Sequence, residues 1–204
     1  VAVTHGYCTT DQIREHLGDT GVKIDIDLLE RAVTSASRAV DSFTGRRFWQ
    51  DATVKSRYYR PESSTLAMVD DISTTVGLLI ATDSGGNYSW GDAWATTDYD
   101  LEPDNADQDE AAYAWWRVRA VGNFGFTHSI SRRTLKITAK FGWSAIPADV
   151  EYATILKATS LFRRKDAPFG VAGFGDFGPV RITRKDQDVI DLLNSFVKVG
   201  WGSS

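Results

Sequence analysis

The chain has 204 residues, enough for one large domain or two small ones with a core of their own. A net charge of −4 argues against a protein whose task is to grip a phosphate backbone, and the single cysteine, Cys8, excludes an internal disulfide and a cysteine-built metal site. No run approaches the ~18 to 20 apolar residues of a membrane span, and the opening VAVTHGYCTT lacks the charged-then-apolar layout of a signal peptide, so the expectation is a soluble protein made in a reducing cytoplasm.

Thr9 and Gln12 have capping-box spacing, and Ile13 and Leu17 lie four apart before Gly18, which predicts a short helix over Thr10 to Leu17. Asp25 caps a longer one. Its apolar positions Ile26, Leu29, Val33, Ala36, Val40 and Phe43 recur at steps of three and four, a single stripe that ends at Gly45. From about Thr53 the period changes. TVKSRYYRP, VGLLIATD, WWRVRAV and TLKITAKFGW are β-branched and aromatic runs broken by turn residues, which predicts a β-rich insert. Asp83 to Asn87 (DSGGN) reads as a hairpin turn between short strands, and Leu135, Ile137 and Ala139 alternate with Lys136, Thr138 and Lys140 as a strand with one wet face does. Asp98 to Glu110 is acidic and turn-rich with no base of its own, and is expected to be a solvated loop.

Pro147 and Asp149 open a third helix whose apolar residues (Val150, Tyr152, Ala153, Ile155, Leu156, Ala158, Leu161, Phe162) cover most of the cylinder, so it should be central. Arg163, Arg164 and Lys165 close it at the dipole's negative end, and Pro168 stops it. Gly170, Gly173, Gly175 and Gly178 then alternate with Phe169, Phe174 and Phe177. A pliable backbone that presents large apolar groups without a periodic face cannot offset its own ordering entropy, so this loop is expected to be ordered by neighbours, another subunit included. Val180 to Thr183 suits a short strand. Asp186 and Asp188 start a last helix with Val189, Ile190, Leu193, Phe196 and Val197 on one face and Gly200 at its end, before the tail Trp201 to Ser204.

The chemistry-bearing motifs are sparse. Gly173 to Gly178 matches G-x-G-x-x-G, yet a helix precedes it and Pro179 with a strand follows, whereas the dinucleotide fingerprint needs a strand before and a helix after. Asp98, Asp100, Asp104, Asp107 and Asp109 suggest calcium by their oxygen content but lack the ordered ligand positions and turn glycine of an EF-hand. His5, His16 and His128 are dispersed, and no G-x-S-x-G, H-E-x-x-H or Walker A run is present. No catalytic, cofactor-binding or metal residue is therefore expected. Trp90, Trp94, Trp115, Trp116 and Trp143 lie in or beside the insert. They either fill a small core or make a stacking platform, and Trp115 and Trp116, adjacent in a strand, must point to opposite faces.

The run FGWSAIPADVEYATILKATSLFRRKDAPFGVAGFGDFGPVRI, taken with YCTTDQIREHLG and DLLERAVTSASRAVDSFTGRRF, resembles the head-tail adaptor (connector) proteins of long-tailed bacteriophages. The resemblance covers the two ends, about half the chain, and the middle is longer than compact helical adaptors need. It implies a virion structural protein without catalysis. Such proteins form a ring, usually of twelve copies, between the portal and the tail, line the DNA conduit without sequence-specific binding, and meet a tail-side neck or stopper protein on the far side. The implied location is the virion neck, reached from the host cytoplasm during assembly. An acidic segment, Asp98 to Glu110, that faced such a conduit would repel phosphates and limit sticking.

The expected fold is α+β, with terminal helices packed as one body (residues 1–50 and 146–204) and the β-rich insert (51–145) between the second and third helices. Partner docking is expected from Phe169, Phe174, Phe177, Phe196 and Trp201, with Arg163 and Arg164 as charged contacts, the portal being the first target. The alternative is a recognition module whose aromatic insert binds a carbohydrate or another viral protein.

Overall fold

The computed structural model describes residues 3–18, 25–108, 113–129, 132–164, 171–173, 179–181 and 186–198. Among the described residues the fold is mixed, with four helices, two three-stranded antiparallel sheets and one two-stranded sheet, and the chain divides into two compact units: Val1–Arg46 with Ile146–Ser204, and Arg47–Ala145.

The first unit is helical. Helix α1, Thr10–Leu17, begins with a full capping box, in which the Thr9 hydroxyl accepts from Gln12 N and the Gln12 side chain accepts from Thr9 N. Helix α2, Ile26–Thr44, has Asp25 as its N-cap, accepting from Leu28 N at 3.2 Å, and ends on Gly45 in the left-handed region (φ 68°) that a glycine adopts without strain. Helix α3, Ala148–Arg163, follows Pro147, whose extended backbone fits the N-cap and whose missing N–H is not needed there. It packs against α1, α2 and the last helix, α4, Gln187–Asn194, and is the central element of this unit. The core is built from Ile13, Leu29, Val33, Ala36, Ala158 and Phe162. The apolar stripe of α2 outruns its cover, since Ile26 at one end is 59% exposed and Phe43 at the other 42%.

Helix α4 ends at Asn194, well before Gly200, which corrects the sequence expectation. Past Asn194 the chain turns to the end of α2: Arg46 Nε donates to Phe196 O at 2.7 Å and Lys198 N to Thr44 O at 2.8 Å. These tertiary bonds satisfy groups that a longer helix would have paired internally. Phe196 is buried by this turn, at 5% exposure.

The second unit is the β insert. Strands β1 (Lys55–Tyr59), β6 (Leu135–Ala139) and β3 (Leu79–Thr82) form one antiparallel sheet in the order β1-β6-β3. Strands β2 (Leu66–Ile72), β5 (Trp115–Ala120) and β4 (Tyr99–Glu102) form the other in the order β2-β5-β4. Inward-facing residues of both share a single core that includes Val69, Ile80, Val118, Leu135, Ile137 and Phe141. The alternation expected of β6 is observed, with Leu135, Ile137 and Ala139 buried and Lys136 and Thr138 partly exposed.

Two strands were not legible. β2 carries Asp70 and Asp71, an unpromising pair for a strand. Asp70 accepts from Arg57 at 2.7 Å and from the Tyr59 hydroxyl at 3.0 Å, while Asp71 accepts from the Trp143 indole at 3.1 Å. β4 lies inside the stretch expected to be a solvated acidic loop, and that expectation is corrected. Tyr99 is buried, and Glu102 is paired by Arg119 at 2.5 Å and by Arg117 at 3.3 Å, both on the neighbouring strand β5. The counter-charge missing locally comes from across the ladder. The DSGGN turn is also not a simple hairpin. Buried Asp83 accepts from the Asn87 and Tyr88 amides, and the chain returns beside β3 through Gly91 N to Thr82 O and Trp94 N to Ile80 O without forming a strand. Strand β3 pairs with β6 instead.

Short strands β7 (Val171–Gly173) and β8 (Pro179–Arg181) pair antiparallel, Gly173 opposite Pro179.

Candidate assembly surfaces

Of the residues expected to dock partners, Arg163 and Arg164 lie exposed at the end of α3, Arg163 as its last residue and Arg164 as its C-cap. Phe196 does not present itself to a partner. It is a core residue of the helical unit, because the turn after α4 carries it inward, and its expected role is corrected accordingly. Phe169, Phe174, Phe177 and Trp201 lie outside the described residues. The G-x-G-x-x-G run starts at the end of β7 and is followed directly by β8, so its flanks are two antiparallel strands rather than the strand and helix that hold a pyrophosphate. Among the described residues no three histidine, cysteine or acidic side chains converge in a way that could hold a metal ion.

The tryptophans divide between core and surface. Trp115 and Trp143 are buried, the latter against Phe48 at 5.1 Å and Tyr113 at 5.6 Å, and Trp94 stacks on Phe126 at 5.1 Å. Trp116 points the other way from Trp115 and lies under the Arg117 guanidinium, 4.3 Å from its ring. Trp90 leaves the core to meet Tyr58, ring centroids 5.2 Å apart. Together with Tyr88 and Arg133 they line a niche of about 170 Å³, smaller than the ~300 to 1,000 Å³ usual for small-molecule sites.

That niche is one end of a larger surface. Register places Ser56, Thr138 and Leu79 in one row across the β1-β6-β3 sheet and Tyr58, Lys136 and Ala81 in the next, all on the face turned from the core. Leu79 is 55% exposed and Tyr58 43%, and Val54, Val76 and Tyr88 beside them are exposed as well. Five of the ten exposed large hydrophobic residues among those described therefore cluster on this face and its rim. Arg133 sits 5.8 Å from the Tyr58 ring centroid, and with Lys136 in the same row as Tyr58 this face carries two cations.

The second surface is a groove between α3 and α4, about 510 Å³, lined by Asp149, Tyr152 and Leu156 from one helix and Asp188, Asp191, Leu192 and Ser195 from the other. Asp149, Tyr152 and Leu156 step by three and four, as do Asp188, Asp191 and Ser195, which puts each set on one stripe of its helix. Their spacing was readable in the sequence; that the two stripes face the same groove was not. Among the described residues the lining holds three carboxylates, Asp149, Asp188 and Asp191, and no cation.

Among the described residues two titratable groups are strongly shifted, both chiefly by burial. Burial, and then the nearby charge of Glu151, pushes the Cys8 thiol from 9.0 to about 12, so it is a protonated core side chain at neutral pH. Burial, and then Asp70, also raises the Tyr59 phenol far above its ordinary value.

The described elements define an α+β chain with an inserted two-sheet unit. No protein-family model and no curated protein matches the sequence. The fold is similar, over the whole of this chain and 96% of the other, to a chain in the neck of an empty gene transfer agent particle computed with C6 symmetry, at a TM-score of 0.57 and 18% identity. A chain in the neck of the native particle computed with C12 symmetry (TM-score 0.53) and one in the virion of the native particle (0.52) are similar over the same spans, each at 18% identity.

Proposed function

We propose that this protein is a structural component of a virion neck, a head-tail adaptor whose copies close into a ring between the portal and the tail and surround the passage for DNA. The observation that carries the reading is the full-length likeness to a neck chain, helical unit and insert together, at a TM-score of 0.57. The adaptor-like pattern of the two chain ends agrees with it, and the sixfold and twelvefold symmetries of the related necks support a ring of twelve copies.

In this reading the protein has no catalytic task, takes no cofactor, and does its work by shape and charge. Arg163 and Arg164 at the exposed end of α3, with Phe169, Phe174, Phe177 and Trp201, meet the portal. The opposite side receives the tail-side neck or stopper protein. The net charge of −4 keeps the passage from holding a phosphate backbone, so DNA moves through without sequence-specific binding. The protein collects in the host cytoplasm during assembly and ends in the neck.

The test is assembly without it. Heads made in cells lacking this chain are expected to fill with DNA and stay tailless, and purified chain added to them is expected to restore joining. Tailed, DNA-delivering particles made in its absence would overturn the reading.

A further inference from the structure

A ring built from one kind of chain uses two unlike patches, each copy offering one to its neighbour on the left and the other to its neighbour on the right. The chain carries two exposed patches whose chemistry is opposite. The outer face of the β1-β6-β3 sheet is apolar with cations, Tyr58 and Leu79 beside Lys136 and Arg133. The α3/α4 groove is apolar with anions, Tyr152 (49% exposed) and Leu156 among Asp149, Asp188 and Asp191.

Like patches repel. Sheet face against sheet face sets Lys136 and Arg133 against their own copies, and groove against groove opposes three carboxylates to three more. Such juxtapositions disfavour a closed contact strongly. Sheet face against groove pairs opposite charges around two apolar centres, the arrangement of a polar rim about a dry core. Of the sheet's two edges, that of β3 is already bonded by Gly91 and Trp94.

We propose that in the ring the outer sheet face of one copy docks on the α3/α4 groove of the next copy, with Tyr58 and Leu79 packed on Tyr152 and Leu156 and Lys136 facing Asp191. This inference rests on the ring reading above and assigns its subunit contact.

The experiment is charge reversal with complementation, read by sedimentation velocity and native mass spectrometry under whichever condition, alone or on the portal, gives the wild-type ring. Lys136→Glu and Asp191→Lys are each expected to raise the concentration needed for assembly at least about tenfold, the effect of losing one close charge pair. Mixed in equal amounts, they are expected to restore it. In an alternating ring every contact then joins either the two substituted positions, with their charges exchanged, or Lys136 and Asp191 themselves, and the ring must hold equal numbers of the two chains. Should Lys136→Glu lower the melting temperature, Arg133→Glu, at an exposed position on the same face, is read for its own assembly defect, without the mixture. A wild-type chain that stays monomeric in both conditions overturns the ring reading and this contact with it. A wild-type ring whose two variants assemble as well as it does overturns the contact alone, as does a mixture that fails to recover.

Discussion

Arg46 Nε donates to the carbonyl oxygen of Phe196 at 2.7 Å, with both residues buried, which joins the end of α2 to the end of α4 across 150 residues of sequence. Arg46→Ala removes this hydrogen bond from a buried charged donor, a loss of about 1 to 3 kcal/mol. Phe196→Ala opens a cavity in the same corner and is expected to cost about 3 to 5 kcal/mol. Urea denaturation of the monomeric chain measures both. Were Phe196 a partner contact instead of a core residue, its truncation would leave the monomer's midpoint unchanged.

Gly142 and Gly122 separate crowding from backbone strain. Both have positive φ, 103° and 66°, but a Cβ on Gly142 would collide with the Trp49 carbonyl oxygen, whereas nothing lies within 4 Å of one on Gly122. A backbone oxygen cannot rotate away as a side chain can. Gly142→Ala is therefore expected to cost about 3 kcal/mol or more, and Gly122→Ala about 1 kcal/mol, from left-handed strain alone. Equal shifts in melting temperature for the two would contradict this account of the Gly142 turn.

Cys8 makes stability depend on alkaline pH. Its thiol is raised from 9.0 to about 12 in the fold, so above pH 9 the unfolded chain loses a proton that the folded chain keeps, and the unfolded state is favoured. The contribution is fully present below pH 9 and is lost as pH rises towards 12, by at most about 1.4 kcal/mol per pH unit. Denaturation midpoints followed from about pH 8 to about pH 11 are expected to fall more steeply for the native chain than for Cys8→Ala. Parallel curves, or rapid alkylation of the folded protein at about pH 8, would contradict the buried thiol.

What could be read from the sequence was whatever is encoded locally. Thr9 with Gln12, Asp25 with Gly45, and Pro147 with Asp149 each mark a helix end within a few residues, and the observed helices start and stop beside them, except at α4. There the apolar pattern runs on through Phe196 and Val197, and only the distant Arg46 and Thr44 show why the helix ends first. Strands β2 and β4 failed for the same reason. Asp70, Asp71 and Glu102 look like loop residues until Arg57, Trp143, Arg117 and Arg119 are brought to them by the fold. The surface residues divide in the same way. Arg163 and Arg164 were legible as a helix end, but the open face holding Tyr58 and Leu79 follows from strand order, which no local pattern in those runs specifies.

The central claim is that copies of this chain close into a ring on a portal, and the mass of that complex tests it most directly. Saturating purified portal with the chain is expected to add about 270 kDa, twelve copies of the 22.6 kDa chain, under the closed cyclic symmetry of such a ring. A portal whose mass is unchanged, or which takes up copies in numbers that vary from particle to particle, would contradict it.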